Sequence, residues 1–162
     1  MGENEPLLIA WHSRTGASEA LARAAFAGAG EAARLLRADE VQPEDLLAAR
    51  GYLFACPENL ATMSGVMKEM FDRCYYPVLG RIEGRAYATM IAAGSDGEGA
   101  QRQIDRIAIG WRLRRVADQM IVNTNAQTPD TIMALKSLDR GVLEEAQILG
   151  SGLAEGLAAG IF

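Results

Sequence analysis

The sequence predicts an α/β fold built on a doubly wound parallel sheet. Apolar runs of strand length alternate with segments of helical period along the chain. The first run, Leu7-Leu8-Ile9-Ala10-Trp11, is apolar throughout, as expected of a central strand covered on both faces. The 162 residues, 49% of them apolar and 23% charged, suffice for one compact domain with a sizeable core and are too few for two ordinary ones. No internal repeat, linker or low-complexity stretch interrupts them, so a single domain over 1–162 is expected.

A turn of small and polar residues, His12 to Ser18, follows the first strand. Leu21, Ala22, Ala25, Phe26 and Ala29 then recur at helical spacing, and Gly28 and Gly30 can end that helix. Ala33 to Ala38 is a weaker second strand. Pro43 opens a short helix through Ala49, where the N–H that proline lacks has no partner anyway. Gly51 to Cys56 is the third strand, stopped by Pro57. A loop from Glu58 to Ser64 leads into a helix with Val66, Met67, Met70, Phe71 and Cys74 on its inner face, and Pro77 and Gly80 then break the chain. Arg85 to Ala93 is the fourth strand and ends in Gly94-Ser95-Asp96-Gly97-Glu98-Gly99. Ile104, Ile107, Ala108 and Trp111 line the next helix, and Val116 to Val122 is the fifth strand. After a polar loop through Pro129, the series Val142, Ala146, Leu149, Leu153, Leu157 marks a long terminal helix.

Composition excludes several function classes. A net charge of −5 leaves no basic footprint for nucleic acid, and the cluster Arg112, Arg114, Arg115 reads as a solvated helix end. Met1 to Pro6 is polar and acidic and no apolar run is long enough to span a membrane, so a cytoplasmic protein without a membrane partner is expected. Cys56 and Cys74 lack CxxC spacing and read as reduced, buried residues. His12 is the only histidine, so no ligand cluster for zinc or iron exists. There is no triad or carboxylate dyad, and no catalytic residue is assigned. Tyr75, Tyr76, Lys68, Asp72, Arg73 and the methionines at 63, 67 and 70 read as packing or local ion pairs.

In a doubly wound sheet, ligands sit beyond the carboxyl ends of the strands. The loops after the first, third and fourth strands therefore carry the functional signal. Ser13, Thr15 and Ser18 place three hydroxyls around Gly16 at the start of a helix. Helix N-termini present unpaired N–H groups and partial positive charge, and glycine lets the backbone approach closely, which suits a phosphate. An ordinary capped turn is the alternative. The loop is neither GxxxxGK[ST] nor GxGxxG, which argues against triphosphate hydrolysis and against the usual dinucleotide fingerprint.

Ser13-Arg14-Thr15-Gly16-Ala17-Ser18 resembles the (Ser/Thr)-x-Thr-Gly-x-(Ser/Thr) phosphate loop of flavodoxins and of flavodoxin-like quinone and FMN reductases. Pro57, a loop, and then Met67-Lys68-Glu69-Met70-Phe71-Asp72-Arg73 is similar to the Pro-loop-Lys-x-x-x-Asp-Arg block of the NAD(P)H-dependent FMN reductases. Gly94 to Gly99 sits where that group's second ring-contacting loop begins. The resemblance implies a three-layer flavodoxin-like sandwich, with a five-stranded parallel sheet of order 2-1-3-4-5 and helices on both faces. It implies FMN as cofactor, its phosphate on Ser13, Arg14, Thr15, Gly16, Ala17 and Ser18. The isoalloxazine would lie against Pro57, Glu58, Asn59, Leu60, Ala61, Thr62 and Met63 and against Gly94, Ser95, Asp96, Gly97 and Gly99.

Two departures stand out. Ala17 occupies a position that is often polar in the family, which reduces one phosphate contact to a backbone amide. Neither ring loop carries an aromatic residue. An uncovered ring face suits a nicotinamide or quinone that must lie flat on the flavin. The expected function is therefore an FMN-binding, NAD(P)H-dependent oxidoreductase passing electrons to a quinone, flavin or similar small acceptor. A flavodoxin-type electron-transfer protein and a non-enzymatic flavodoxin-fold interaction module are the alternatives, and the resemblance also points to a homodimer or homotetramer.

Overall fold

The computed structural model describes residues 6–162; the polar start over 1–5 lies outside the described residues. The strands are β1 (Leu7–Trp11), β2 (Ala33–Arg37), β3 (Gly51–Asn59), β4 (Thr62–Met63), β5 (Ala86–Ala93), β6 (Arg114–Arg115) and β7 (Met120–Asn123). The helices are α1 (Ala17–Ala29), α2 (Pro43–Ala48), α3 (Gly65–Val78), α4 (Glu98–Gly110), α5 (Pro129–Met133) and α6 (Arg140–Ala158). The sheet runs β2-β1-β3-β5-β6, with β7 continuing beside β5. Apart from the two-residue β4, every pairing is parallel, with Leu7 opposite both Ala33 and Gly51, and Gly51 opposite Ala86. This is the order that the resemblance to the flavodoxin-like proteins implies.

Because strand side chains alternate between faces, a fully apolar strand must feed two cores. Leu7, Ile9 and Trp11 pack with Leu53, Ala55, Ala88 and Met90 under α1 and α6. Leu8 and Ala10 pack with Tyr52, Phe54, Cys56 and Tyr87 under α2, α3 and α4. On that second face Phe54 meets Phe71 edge-on at 5.1 Å, and Trp111 stacks on Tyr75 at 5.6 Å while donating its indole N–H to the Tyr75 carbonyl. Tyr75 is thereby spent on the core. Among the described residues no helix is long and apolar enough to cross a membrane.

Four local details differ from the expectation. Pro57 does not stop the third strand, which continues to Asn59; a proline forfeits only its own donor, and the Pro57 carbonyl accepts from the Ser64 N–H at 3.1 Å. The loop from Glu58 to Ser64 is instead a hairpin closed by β4. Pro77 sits in the last turn of α3 without ending it, since the helix reaches Val78 and Leu79 still donates to the Tyr75 carbonyl. The fifth strand is split, β6 and β7 both pairing with β5 while residues 116–119 leave the ladder.

The α1–α6 pair packs through small residues. A Cβ at Gly150 would lie 2.0 Å from the Ala25 carbonyl oxygen, and one at Gly28 would lie 2.0 Å from that of Gln147. Gly150→Ala should gain about 1 kcal/mol of helix propensity but lose about 1–3 kcal/mol to overpacking. We expect the clash to win, because the obstacle is backbone. A urea unfolding midpoint lowered relative to wild type checks this, and a raised midpoint would contradict the close approach.

Candidate functional site

All the long strands are parallel, so their carboxyl ends lie on one edge of the sheet, and a cavity of about 320 Å³ opens there. That size lies at the lower end of the range for small-molecule sites. Its walls are Ser13, Arg14, Thr15, Ala17 and Ser18 after β1, the hairpin residues Pro57 to Ala61, and Ala92 to Ser95 at the end of β5. A fourth wall comes from Thr124, Ala126, Ile132 and Lys136 after β7. No aromatic side chain lines it.

Two helices begin at this edge in nearly the same way. The residue before α1 is Gly16, at φ 98° and ψ −16°, and the residue before α4 is Gly97, at φ 101° and ψ −18°. Both are left-handed conformations that glycine adopts without strain. Their partners differ completely. At α4 the Glu58 carboxylate reaches across from the hairpin, accepting from the Gly97 N–H at 2.9 Å and from the Ala100 N–H at 3.1 Å. At α1 the first-turn Glu19 pairs instead with Arg23 at 2.8 Å, and no carboxylate among the described residues reaches across to the first-turn amides. Ser13 Oγ accepts the Gly16 N–H at 3.0 Å, and the first-turn amides of Ala17, Ser18 and Glu19 have no intrahelical acceptor. Ser18 lines the cavity, and its buried hydroxyl has no hydrogen-bond partner among the described residues.

The hairpin is held under strain. Leu60 (φ 52°) and Ala61 (φ 66°) form its turn, a two-residue geometry usually filled by Asn-Gly. Leu60 stands 99% exposed at the rim. The turn rests on α4, since a Cβ at Gly99 would lie 2.1 Å from the Ala61 carbonyl oxygen. Across the cavity, Thr124 N–H donates to the Ala93 carbonyl at 2.8 Å and Asn123 donates to the Ser95 carbonyl at 3.0 Å. Gly94 passes so close to Ala126 that a Cβ would lie 2.3 Å from its carbonyl oxygen.

Of the residues singled out from the sequence, the structure brings Ser13, Arg14, Thr15, Ala17, Ser18, Pro57, Glu58, Asn59, Leu60, Ala61, Gly94 and Ser95 to the cavity. Gly16 shapes the first loop from behind. Thr62 turns its hydroxyl to the Asn59 and Met63 carbonyls, and Met63 buries its side chain in the core. Asp96 accepts from the Glu98 N–H, while Gly97 and Gly99 build the start of α4. Thr124, Ala126, Ile132 and Lys136 were missed because the loop after the fifth strand was not read for function, although the carboxyl-end rule applies to it equally.

His12 lies beside the site, its Nδ1 2.8 Å from the fully buried Ser64 Oγ. Burial, and secondarily the Arg14 charge, push its pKa below the ordinary 6.5. Burial pushes the Cys56 thiol up to about 12, and both cysteines are buried and free. Neither is an activated nucleophile.

Residues 37–126 match the NADPH-dependent FMN reductase family over more than half of the chain. The chain belongs to that family. FMN is accordingly its cofactor. The chain is also 31% identical over 97 residues to a flavodoxin of Aquifex aeolicus (strain VF5), covering 57% of this chain and 52% of the relative. It thus spans about half the length of that curated relative. Among solved structures it resembles a flavodoxin from the domain Archaea, with TM-score 0.77 and 17% identity over 94% of this chain and 98% of that one. An NADPH-quinone reductase from P. pentosaceus aligns with TM-score 0.64 and 14% identity, over 89% of this chain and 96% of that one. At those identities the structural neighbours bear out the flavodoxin-like fold.

Two outcomes follow from this geometry. Glu58→Ala removes the carboxylate from α4 and should lower stability by about 1 kcal/mol, the usual worth of an N-terminal cap, measured by urea unfolding. The imidazole of His12 should titrate below 6.5 by NMR. Folding favours its neutral form, so its stabilising contribution is present above the unfolded pKa and is lost as pH falls below about 6.5. His12→Gln should flatten that slope.

Proposed function

We propose that this FMN-binding member of the family is an NAD(P)H-dependent oxidoreductase that passes electrons to a quinone, free flavin or similar small acceptor. The observation that carries it is the contrast between the two helix N-termini. One is satisfied by the chain's own Glu58 carboxylate, whereas at the other, beside the cavity, the first-turn amides have no intrahelical acceptor and the Ser18 hydroxyl has no partner among the described residues. A buried hydroxyl without a partner costs about 1–3 kcal/mol, and a phosphate ester supplies the acceptor it lacks. The residues present therefore fit FMN, with the phosphate on Ser13, Thr15, Ser18 and the first-turn amides of α1.

The ring would lie toward Pro57 to Ala61, Gly94 and Ser95, where backbone groups meet its polar edge. No aromatic lines the cavity, which supports access of a flat substrate to the ring face. When bound, FMN supplies the redox chemistry, taking a hydride from the nicotinamide and giving two electrons to the acceptor. The chain orients the cofactor and needs no side chain as acid, base or nucleophile.

Titrating FMN into apo-protein and following flavin fluorescence should give saturable one-to-one binding, and the loaded protein should oxidise NAD(P)H with a quinone present. Absence of FMN binding at tens of micromolar overturns the reading. Ser18→Ala should raise apo-protein stability by about 1 kcal/mol, through loss of the unsatisfied hydroxyl, and weaken FMN roughly tenfold or more through loss of a charge-assisted hydrogen bond. A variant that loses stability and keeps its FMN affinity would place the phosphate elsewhere.

A further inference from the structure

Lys136 stands 121 residues from the phosphate loop in sequence and is stitched to it twice. Its backbone N–H donates to the Thr15 carbonyl at 2.8 Å, and its ammonium donates to Thr15 Oγ1 at 3.3 Å. The same ammonium donates to the Ile132 and Ala134 carbonyls at 2.9 and 2.6 Å. An ammonium has three donors and no acceptor, so all three are engaged and the group is held in place before any ligand arrives.

The consequence falls on Thr15. A hydroxyl that accepts from an ammonium must send its own proton elsewhere, and among the described residues no acceptor takes that proton. Thr15 lines the cavity, so its O–H is left to donate to a ligand there. The electrostatics agree. Among the described residues Arg14 and Lys136 are the cations of the cavity wall, and its only carboxylate, Glu58, is tied to the amides of α4. In a chain of net charge −5, this end of the cavity is locally cationic.

We infer that Lys136 is a positioning residue for phosphate: it fixes the Thr15 hydroxyl as a donor into the cavity and makes the site select a phosphorylated flavin over an unphosphorylated one. This rests on the FMN reading above and adds to it the source of the selectivity. Neither Thr15 nor Lys136 falls within the matched family segment, which spans 37–126.

The test compares FMN and riboflavin binding to the full chain, by fluorescence quenching, in wild type, Lys136→Met, Lys136→Arg and Thr15→Val. Wild type should prefer FMN. Lys136→Met should weaken FMN about tenfold, the order of one partly exposed charge-assisted contact, and leave riboflavin unchanged. Lys136→Arg should restore most of the preference. In the Thr15→Val background, Lys136→Met should cost much less than in wild type, since the hydroxyl it positions is gone.

Equal weakening of both flavins would make Lys136 a wall residue and overturn the inference, as would unchanged FMN affinity or fully additive losses in the double variant. Failure of wild type to bind FMN would overturn the FMN reading itself. That failure shows before any substitution is made, so the two are distinguishable.

Discussion

The ligand edge of this protein depends on how two helix N-termini are satisfied. Parallel strands deliver α1 and α4 to the same edge, each after a left-handed glycine and each with unpaired amides pointing outward. The Glu58 carboxylate closes one of them from a strand 39 residues away. That contact also fastens the β3–β4 hairpin to α4, and the missing Cβ of Gly99 lets the turn carbonyl of Ala61 settle against the helix. The positive φ values of Leu60 and Ala61 are tolerated because this attachment over-determines the turn. With Glu58 committed, the remaining open N-terminus, at α1, determines where an anion can sit.

The aromatic side chains show the complementary choice. Tyr52, Phe54, Phe71, Tyr75, Tyr87 and Trp111 are spent on the core beneath α2, α3 and α4. Their rings fill the volume between sheet and helices, while the opposite core, Trp11 and Phe162 apart, is built mostly from alanines and aliphatic residues, and α1 and α6 pack there at glycine distance. Among the described residues the cavity is left without an aromatic ring, its wall made of small side chains and backbone together with Arg14, Glu58, Asn59, Leu60, Ile132 and Lys136. A planar ring in such a site is gripped at its edges and not across its faces.

Much of the fold was legible because burial on both faces imposes continuous apolar strands, and β1, β2, β3 and β5 fall where those runs lie. What was not legible depended on tertiary contacts. A hairpin turn of Leu60-Ala61 carries no Asn-Gly signal, and Pro57 masks the strand that leads into it. The fifth strand is split because residues 116–119 leave the ladder, and no residue there is a strong breaker. In the first loop, hydroxyls and glycine at a strand–helix junction singled out residues that the structure places at the cavity. Glu58 was read as a ring contact, but its cap on α4 joins residues with no spacing rule between them. The wall formed by Thr124 to Lys136 was passed over because its polar sequence looks like any surface connection.

The family match and the geometry bear on different ends of the cavity. Residues 37–126 include both loops proposed to face the ring, Pro57 to Met63 and Gly94 to Gly99, but neither the loop proposed for the phosphate nor Ile132 and Lys136. The proposal of a phosphate at the other end therefore rests on physical grounds alone: first-turn amides without an intrahelical acceptor, a buried hydroxyl lacking a partner among the described residues, and a cationic wall. Those features come from the first and the last quarter of the chain, and the backbone bond from Lys136 to Thr15 joins them. The first loop is thus not a local motif finished by its own six residues. The segment after β7 is held against the same edge by the Thr124 and Asn123 bonds to the Ala93 and Ser95 carbonyls and by the close approach of Gly94 to Ala126.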